Sequence, residues 1–266
     1  MSDPVPAIAE VAASGETAAI FADIRHVLGV AVVNLIWRHL ATIPGALPAA
    51  WGMLRPLYAD GTITAEATAL HRDIALPALP GFPAEALALV GVGAAELAPL
   101  RSILAAYDRT NAMALVALSA LAQRLSANPA VGQTSIRHHA GDQAANAEQI
   151  PLPPLPAMAE LAPDVASLVS RLNGLGTRRA TPILASMYRH LAHWPGYLAL
   201  AWMLVAPLNA DGTLDQLIAA ALANAQARAV GLAAGLVIPT PIEAPLSTAI
   251  VPRSSHSLAT SSPRWL

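Results

Sequence analysis

The stretch VNLIWRHLATIPGALPAAWGMLRPLYADGTI, residues 33–63, decides the fold because the chain contains it twice. The second copy is LASMYRHLAHWPGYLALAWMLVAPLNADGTL, residues 184–214, and the two copies align without a gap. About half of the aligned positions are identical, which is more than two unrelated Ala/Leu-rich helices would share by composition. The spacing between the copies is too long for a solenoid, so we expect a duplicated half-domain. Two such halves pack most simply as a pseudo-twofold unit with a cleft between them.

The composition predicts an all-α fold. The 266 residues are 55% hydrophobic, rich in Ala and Leu, and contain no long segment of alternating polar and apolar residues. This pattern is typical of helices. The net charge of −2 offers no basic surface for a nucleic-acid partner. The longest uncharged run, residues 191–210, is interrupted at Pro195 and Pro207, so we expect no membrane span.

Two residue types are absent, and each absence excludes a class of chemistry. The chain has no cysteine, which excludes disulfides and thiol catalysis. All 15 basic residues are arginine, which excludes Schiff-base chemistry on a lysine. The first residues, MSDPVPAIAE, carry acidic residues and prolines where a signal peptide would carry a basic start. We therefore expect a cytoplasmic protein without a cofactor.

The turn signals divide the chain into four parts. Residues 17–126 form the first helical repeat, which includes helices predicted over 16–28, 31–42 and 94–126. Residues 127–156 form a Pro-rich linker, and residues 157–238 form the second repeat, in which no counterpart of the long 94–126 helix is visible. Residues 239–266 carry prolines and serines without a helical stripe, so we expect a disordered tail.

Comparing the two copies separates scaffold residues from site residues. Residues present in both copies, such as the Arg38-His39 and Arg189-His190 pairs, are expected to be scaffold, although each pair could also bind an anion. Residues that differ, among them Asn34 in the first copy, are better candidates for one asymmetric site. His190 and His193 have a spacing that suits a metal, as does the His138-His139 pair of the linker, but no third ligand accompanies either, so we expect no metal site.

Four segments carry a resemblance to a known family: IRHVLGV, WRHLATIPGALPAAW, YDRTNAMALVALSAL and ASMYRHLAHWPGYL, beginning at residues 24, 37, 107 and 185. They resemble the group I, non-stereospecific (DL-) 2-haloacid dehalogenases, over about residues 17–235. The resemblance implies an all-helical bacterial enzyme of two tandem repeats with an apolar active site between them. In that family an aspartate activates water, which displaces the halide at the α-carbon with inversion and without an ester intermediate.

The resemblance also assigns site residues. Asn111 matches an asparagine that holds substrate or water, and Ser186 matches the serine before the catalytic aspartate. The aspartate itself falls on Met187, whose thioether cannot accept a proton from water. The aromatic positions of the family's pocket fall on Val32 and Leu35, and a tyrosine one turn after the asparagine falls on Ala114. The implied pocket is wider, more apolar and without its base.

Three functions are consistent with these residues. The first is a hydrolytic 2-haloacid dehalogenase that uses another base on a small carboxylate. The second is a non-catalytic relative, a pseudoenzyme, whose apolar cleft binds a small carboxylate or apolar ligand. The third is a structural helical protein, which includes the case of a homodimer. The replacement at Met187 favours the second over the first.

Overall fold

The computed structural model describes residues 6–126, 153–177 and 184–237, and these residues form α-helices joined by short connections, with no strand among them. The predicted all-α fold is confirmed. Most of the linker predicted over 127–156, including the His138-His139 pair, and the tail predicted over 239–266 lie outside the described residues. The helices are α1 Gly15–Leu28, α2 Leu35–Leu40, α3 Ala46–Ala59, α4 Thr62–Asp73, α5 Ala84–Leu89, α6 Ala94–Ser126, α7 Pro163–Gly174, α8 Ser186–Leu191, α9 Pro195–Ala210 and α10 Thr213–Gly235.

The repeated stretch forms the same corner in both copies. In each copy a short helix is followed by a long one, α2 by α3 and α8 by α9. Each long helix ends at an Asp-Gly pair, with Gly61 at φ 80° and Gly212 at φ 82°. This left-handed conformation is costly for residues with a Cβ, which explains the glycine. The pseudo-twofold relation between the whole repeats stays a prediction.

The helix predicted over 31–42 is shorter than expected. Only residues 35–40 are helical, because the side chain of Asn34 accepts a hydrogen bond from the backbone N–H of Ile36 and so begins the helix. Asparagine is a favoured residue at this capping position. The consequence is that residues 31–34 are not helical, and Asn34 sits where a side chain can reach a neighbouring helix.

Two apolar cores share the helices α6 and α10. The first core contains α1 to α4 with the C-terminal half of α6 and the end of α10. The second contains α7 to α9 with the N-terminal half of α6 and the start of α10. The second copy thus has a long helix after its Asp-Gly corner, α10, which packs along α6. These two helices join the cores.

The tryptophan present in both copies is held differently in each. The indole N–H of Trp51 donates to Asp23 at 2.7 Å, and Arg55 binds the same carboxylate through two hydrogen bonds. This pairing lowers the pKa of Asp23. In the second copy the guanidinium of Arg171 lies 5.5 Å from the ring centre of Trp202, a cation–π contact. Trp51 and Trp202 therefore occupy equivalent positions in the two copies but contact different partners.

Helix α10 is, by length and composition, the one described helix that could cross a membrane. Its buried residues pack into both cores, from Leu214 at one end to Leu232 at the other. Arg228 lies within the same helix and pairs with two carboxylates of α4. These contacts favour a core helix of a globular protein over a membrane span.

The Arg228 ion pairs are expected to stabilise the contact between α10 and α4. Arg228 is 18% exposed and donates to Glu66 at 2.8 Å and to Asp73. Replacing it with methionine keeps the apolar stem but leaves Glu66 without its cation. We expect the free energy of unfolding to fall by about 1–3 kcal/mol, measured by urea denaturation. The matched change Arg101→Met, at an exposed position of α6, should change it by less than about 0.5 kcal/mol; equal effects would contradict the prediction.

Candidate functional site

The start of α2 meets the middle of α6 through two asparagines. The amide nitrogen of Asn34 donates to the side-chain oxygen of Asn111 at 3.0 Å, while the oxygen of Asn34 caps α2. Both asparagines are half-buried. The helix cap therefore fixes Asn34, and Asn34 in turn fixes the orientation of Asn111.

The middle of α6 also meets α8. The hydroxyl oxygen of Tyr107 and Nδ1 of His190 are hydrogen bonded at 2.7 Å, although the residues are 83 positions apart in the chain. The rings are 5.7 Å apart and tilted. The hydroxyl of Ser186, the first residue of α8, also lies close enough to Tyr107 to lower its pKa slightly. Tyr107 therefore receives polar contacts from both ends of α8.

Helical spacing places these residues on facing surfaces. Tyr107 and Asn111 are four residues apart on α6, so they share one face. Met187 and His190 are three residues apart on α8 and so lie on one side of that helix, and His190 contacts Tyr107 of α6. We call the place where these surfaces meet the start of α2 the α2/α6/α8 junction, defined by Asn34, Tyr107, Asn111, Met187 and His190.

The charges around His190 are positive. His190 is 1% exposed, and burial, followed by His193, Arg189 and Arg38, lowers its pKa to about 4. The backbone of Pro153 acts weakly in the opposite direction. His190 is therefore neutral at pH 7, in surroundings that disfavour a further positive charge.

Burial raises the pKa of Tyr107, and the positive charges of Arg38 and Arg189 offset part of this rise. Tyr107 is therefore a neutral hydroxyl at pH 7 that can donate one hydrogen bond. The α2/α6/α8 junction thus presents hydroxyl and amide groups beside two arginines, one from each repeat.

Met187 lies in the second apolar core. Its side chain is 5% exposed and packs with the residues of α7 to α9. In the second repeat the nearest described acidic residues along the chain are Asp164 and Asp211, and each accepts a hydrogen bond from a backbone N–H near its own helix start. Neither Asp164 nor Asp211 therefore takes the place of an aspartate at position 187.

The remaining residues assigned from the sequence lie beside the two asparagines. Val32 and Leu35 flank Asn34 along the chain and are half-buried, and Ala114 is 8% exposed, about one turn after Asn111 on α6. None of the three belongs to either apolar core. Along the chain these three residues are apolar neighbours of the two asparagines.

The Arg-His pairs, expected as scaffold, make different contacts in the two copies. His39 hydrogen bonds to the carbonyl of Pro6 at 2.8 Å near the surface, whereas His190 is buried against Tyr107. His193 points to the carbonyl of Pro154 at 2.8 Å. Within the described ranges no group of three His, Asp or Glu side chains could hold a metal.

Sequence reasoning missed the role of Tyr107 and placed His190 with the scaffold. Two signals could have found the pair. Tyr107 precedes Asn111 by one helical turn, and His190 follows Met187 by nearly one turn. Neither spacing shows that α6 and α8 touch, which is a property of the tertiary structure.

The chain is similar to a configuration-inverting 2-haloacid dehalogenase of Alcaligenes xylosoxydans xylosoxydans. The two are 30% identical over 207 residues, which cover 75% of this chain and 68% of the relative. The fold of this chain is similar to that of a D-2-haloacid dehalogenase mutant. The TM-score is 0.66 at 20% identity, and the match covers 99% of this chain and 91% of that one. The complex of such a mutant with D-2-CPA gives a TM-score of 0.64 at 21% identity, covering 97% and 91%. No protein-family model matches the chain.

Proposed function

Because the chain belongs to the family of configuration-inverting 2-haloacid dehalogenases, we propose that its α2/α6/α8 junction binds small 2-substituted carboxylates and hydrolyses the carbon–halogen bond slowly. We propose slow hydrolysis because the buried thioether of Met187 stands at the position where the sequence resemblance places the water-activating aspartate. A general base contributes about 10²–10⁴-fold to rate. Its loss leaves a site that binds its ligand but lacks the group that activates water.

The rest of the junction supports binding. The side-chain oxygen of Asn111 is engaged by Asn34, so the amide N–H₂ of Asn111 is the part that can donate to a ligand. Tyr107 and Ser186 supply hydroxyls, and Arg38 and Arg189 supply a positive potential that favours an anion. Val32, Leu35 and Ala114 supply apolar surface for the substituent on the α-carbon.

The resemblance to the non-stereospecific group adds a finer expectation, that both enantiomers bind. Displacement at the α-carbon with inversion requires water on the side opposite the halogen. An apolar pocket widened by Val32, Leu35 and Ala114 in place of aromatic residues offers room for either enantiomer. We therefore propose that the site accepts a range of 2-substituted carboxylates.

The test measures binding and halide release separately on the native chain. We expect isothermal titration calorimetry to show binding of both enantiomers of 2-chloropropionate, and an ion-selective electrode to show halide release at least about 10²-fold slower than an enzyme with a working base would give. Fast halide release by the native chain would show that another base is present. Absence of binding for both enantiomers would overturn the proposed ligand class and favour a structural role.

A further inference from the structure

The hydrogen-bonded pair of half-buried Tyr107 and buried His190 has no role in the reaction that the family resemblance implies, yet it lies within the α2/α6/α8 junction. The ring of His190 is 1% exposed, and its Nε2 is buried without a well-formed hydrogen bond. The backbone of Pro153, on the segment before α7, has only the last of the influences on the pKa of His190, and it raises that pKa. A buried polar atom of this kind is uncommon and calls for a functional or structural reason.

We propose that Tyr107 and His190, with Arg38 and Arg189 nearby, recognise the carboxylate of the ligand, and that His190 takes up a proton when the carboxylate binds. The inference rests on the proposed function and adds which end of the junction holds the charged group. The carboxylate lies at the Tyr107–His190 end, and the substituent lies at the end formed by Val32, Leu35 and Ala114.

The hydrogen bond between the two residues gives the mechanism. In the tautomer with its ring proton on Nε2, neutral His190 accepts the Tyr107 hydroxyl proton at Nδ1. In this state the Tyr107 proton is used internally. When Nδ1 is protonated, it donates to the Tyr107 oxygen instead, and the Tyr107 hydroxyl proton is free to turn toward a ligand oxygen.

The charges favour this coupling. The groups that act on His190 are Arg38 from α2, Arg189 from α8, His193 from the turn between α8 and α9, and Tyr107 from α6, none of which is an anion at pH 7. Helices α7 and α9 also pack against α8, and neither places a charged group among those that shift His190. A bound carboxylate would be the first negative charge near the ring, so it would favour the protonated form.

The second unpartnered atom supports an anion site at this end. Nε of Arg38 is buried and makes no hydrogen bond in the described structure, whereas Nε of Arg189 donates to the carbonyl of Pro156 at 2.9 Å. The two arginines occupy the same position in the two copies. Nε of Arg38 is therefore a buried donor without an acceptor, whereas Nε of Arg189 has one. The positive charge of Arg38 acts on both Tyr107 and His190, so Arg38 lies at their end of the junction.

The experiment measures proton uptake by calorimetry in two buffers of different ionisation enthalpy, with 2-chloropropionate as the probe. Its chlorine makes it a strong carboxylic acid, so it stays ionised at mildly acidic pH. A neighbouring opposite charge moves a pKa by about 1–3 units, and a rise of about 2 units corresponds to uptake of about 0.7 proton at about pH 5.5 and almost none at about pH 8. The affinity should then be about fourfold higher at the lower pH.

Three variants separate the roles of the residues. Tyr107→Phe leaves a protonated Nδ1 without its acceptor in a buried place, and His190→Gln cannot be protonated. Both should therefore bind without proton uptake and with affinity that does not change between the two pH values. The matched control is His39→Gln, at the equivalent position of the first repeat, where the ring contacts the Pro6 carbonyl. It should retain the proton uptake of the native chain.

The outcomes distinguish this inference from the proposed function. Binding without proton uptake by the native chain, or proton uptake retained in Tyr107→Phe, would overturn the inference and leave the ligand class standing. Absence of binding at both pH values would overturn both. Should His190→Gln fail to fold, the NMR titration of the His190 ring in the native chain decides, because its pKa must rise when 2-chloropropionate is added.

Discussion

Met187→Asp is expected to raise the rate of halide release from 2-chloropropionate by about 10²-fold or more over the native chain. The change places a carboxylate on the second residue of α8, three residues before His190, which contacts Tyr107. The first turn of a helix favours a negative charge, which helps the aspartate to ionise. The amide of Asn111 is already oriented by Asn34, so the site needs only the base to activate water.

The control for this change is Met187→Asn, which has nearly the same shape as the aspartate but cannot accept the proton. It should release halide no faster than the native chain and bind the ligand with similar affinity. A polar group in the second core will lower the stability of both variants, so thermal melts of the pair must agree before their rates are compared. Equal rates for Met187→Asp and Met187→Asn, with binding intact, would show that position 187 does not hold the base.

The duplicated stretch made the corners of the fold predictable. Short-range rules govern a corner, because the left-handed conformation at Gly61 and Gly212 admits few residues other than glycine. The helices over 16–28 and 94–126 were predicted almost to the residue for the same reason, since capping and periodicity are local. The predicted length of α2 was wrong: the helix was predicted to begin at residue 31, whereas the cap at Asn34 makes it begin at Leu35, and it ends at Leu40 rather than at residue 42.

The candidate site was only partly predictable. Asn111 was assigned through the family resemblance, and its partner Asn34 stood out because the second copy lacks it. His190 was assigned to the scaffold because both copies have it. Identity between the copies reflects the shared corner, whereas the contact of His190 comes from Tyr107, on a helix that lies before the second repeat in the chain. Comparing the sequences of the two copies therefore cannot reveal the contact between Tyr107 and His190.

The aligned glycines Gly45 and Gly196 also show that the repeat does not reveal tertiary contacts. Gly45 lies at φ 72° before α3, where an added Cβ would meet no atom within 4 Å, so its backbone conformation explains it. Gly196 is the second residue of α9, and its reason is contact: an added Cβ would lie 2.2 Å from the carbonyl oxygen of Val90 and 2.6 Å from its Cβ. The alignment of the two copies suggests one cause for both residues, and the structure gives two.

Gly196→Ala is accordingly expected to be among the most destabilising single-methyl changes in the chain. The neighbouring atoms are the carbonyl group and the Cβ of Val90, the residue that follows α5, so the end of α5 and the start of α9 must separate to admit the methyl group. Overpacking of this kind costs about 1–3 kcal/mol, and more where backbone has to move.

Gly45→Ala should cost about 1–2 kcal/mol through its backbone conformation alone. The matched control, Gly52→Ala, lies inside α3 with no atom within 4 Å of the added Cβ, and it should stabilise the chain by about 0.5–1 kcal/mol because alanine favours a helix. Urea denaturation of the three variants should therefore give effects of opposite sign, with Gly52→Ala above the native chain and Gly196→Ala lowest. A Gly196→Ala variant as stable as Gly52→Ala would show that the connection after α5 moves away from α9 without cost, and the contact between the two repeats at Val90 would then contribute little to the fold.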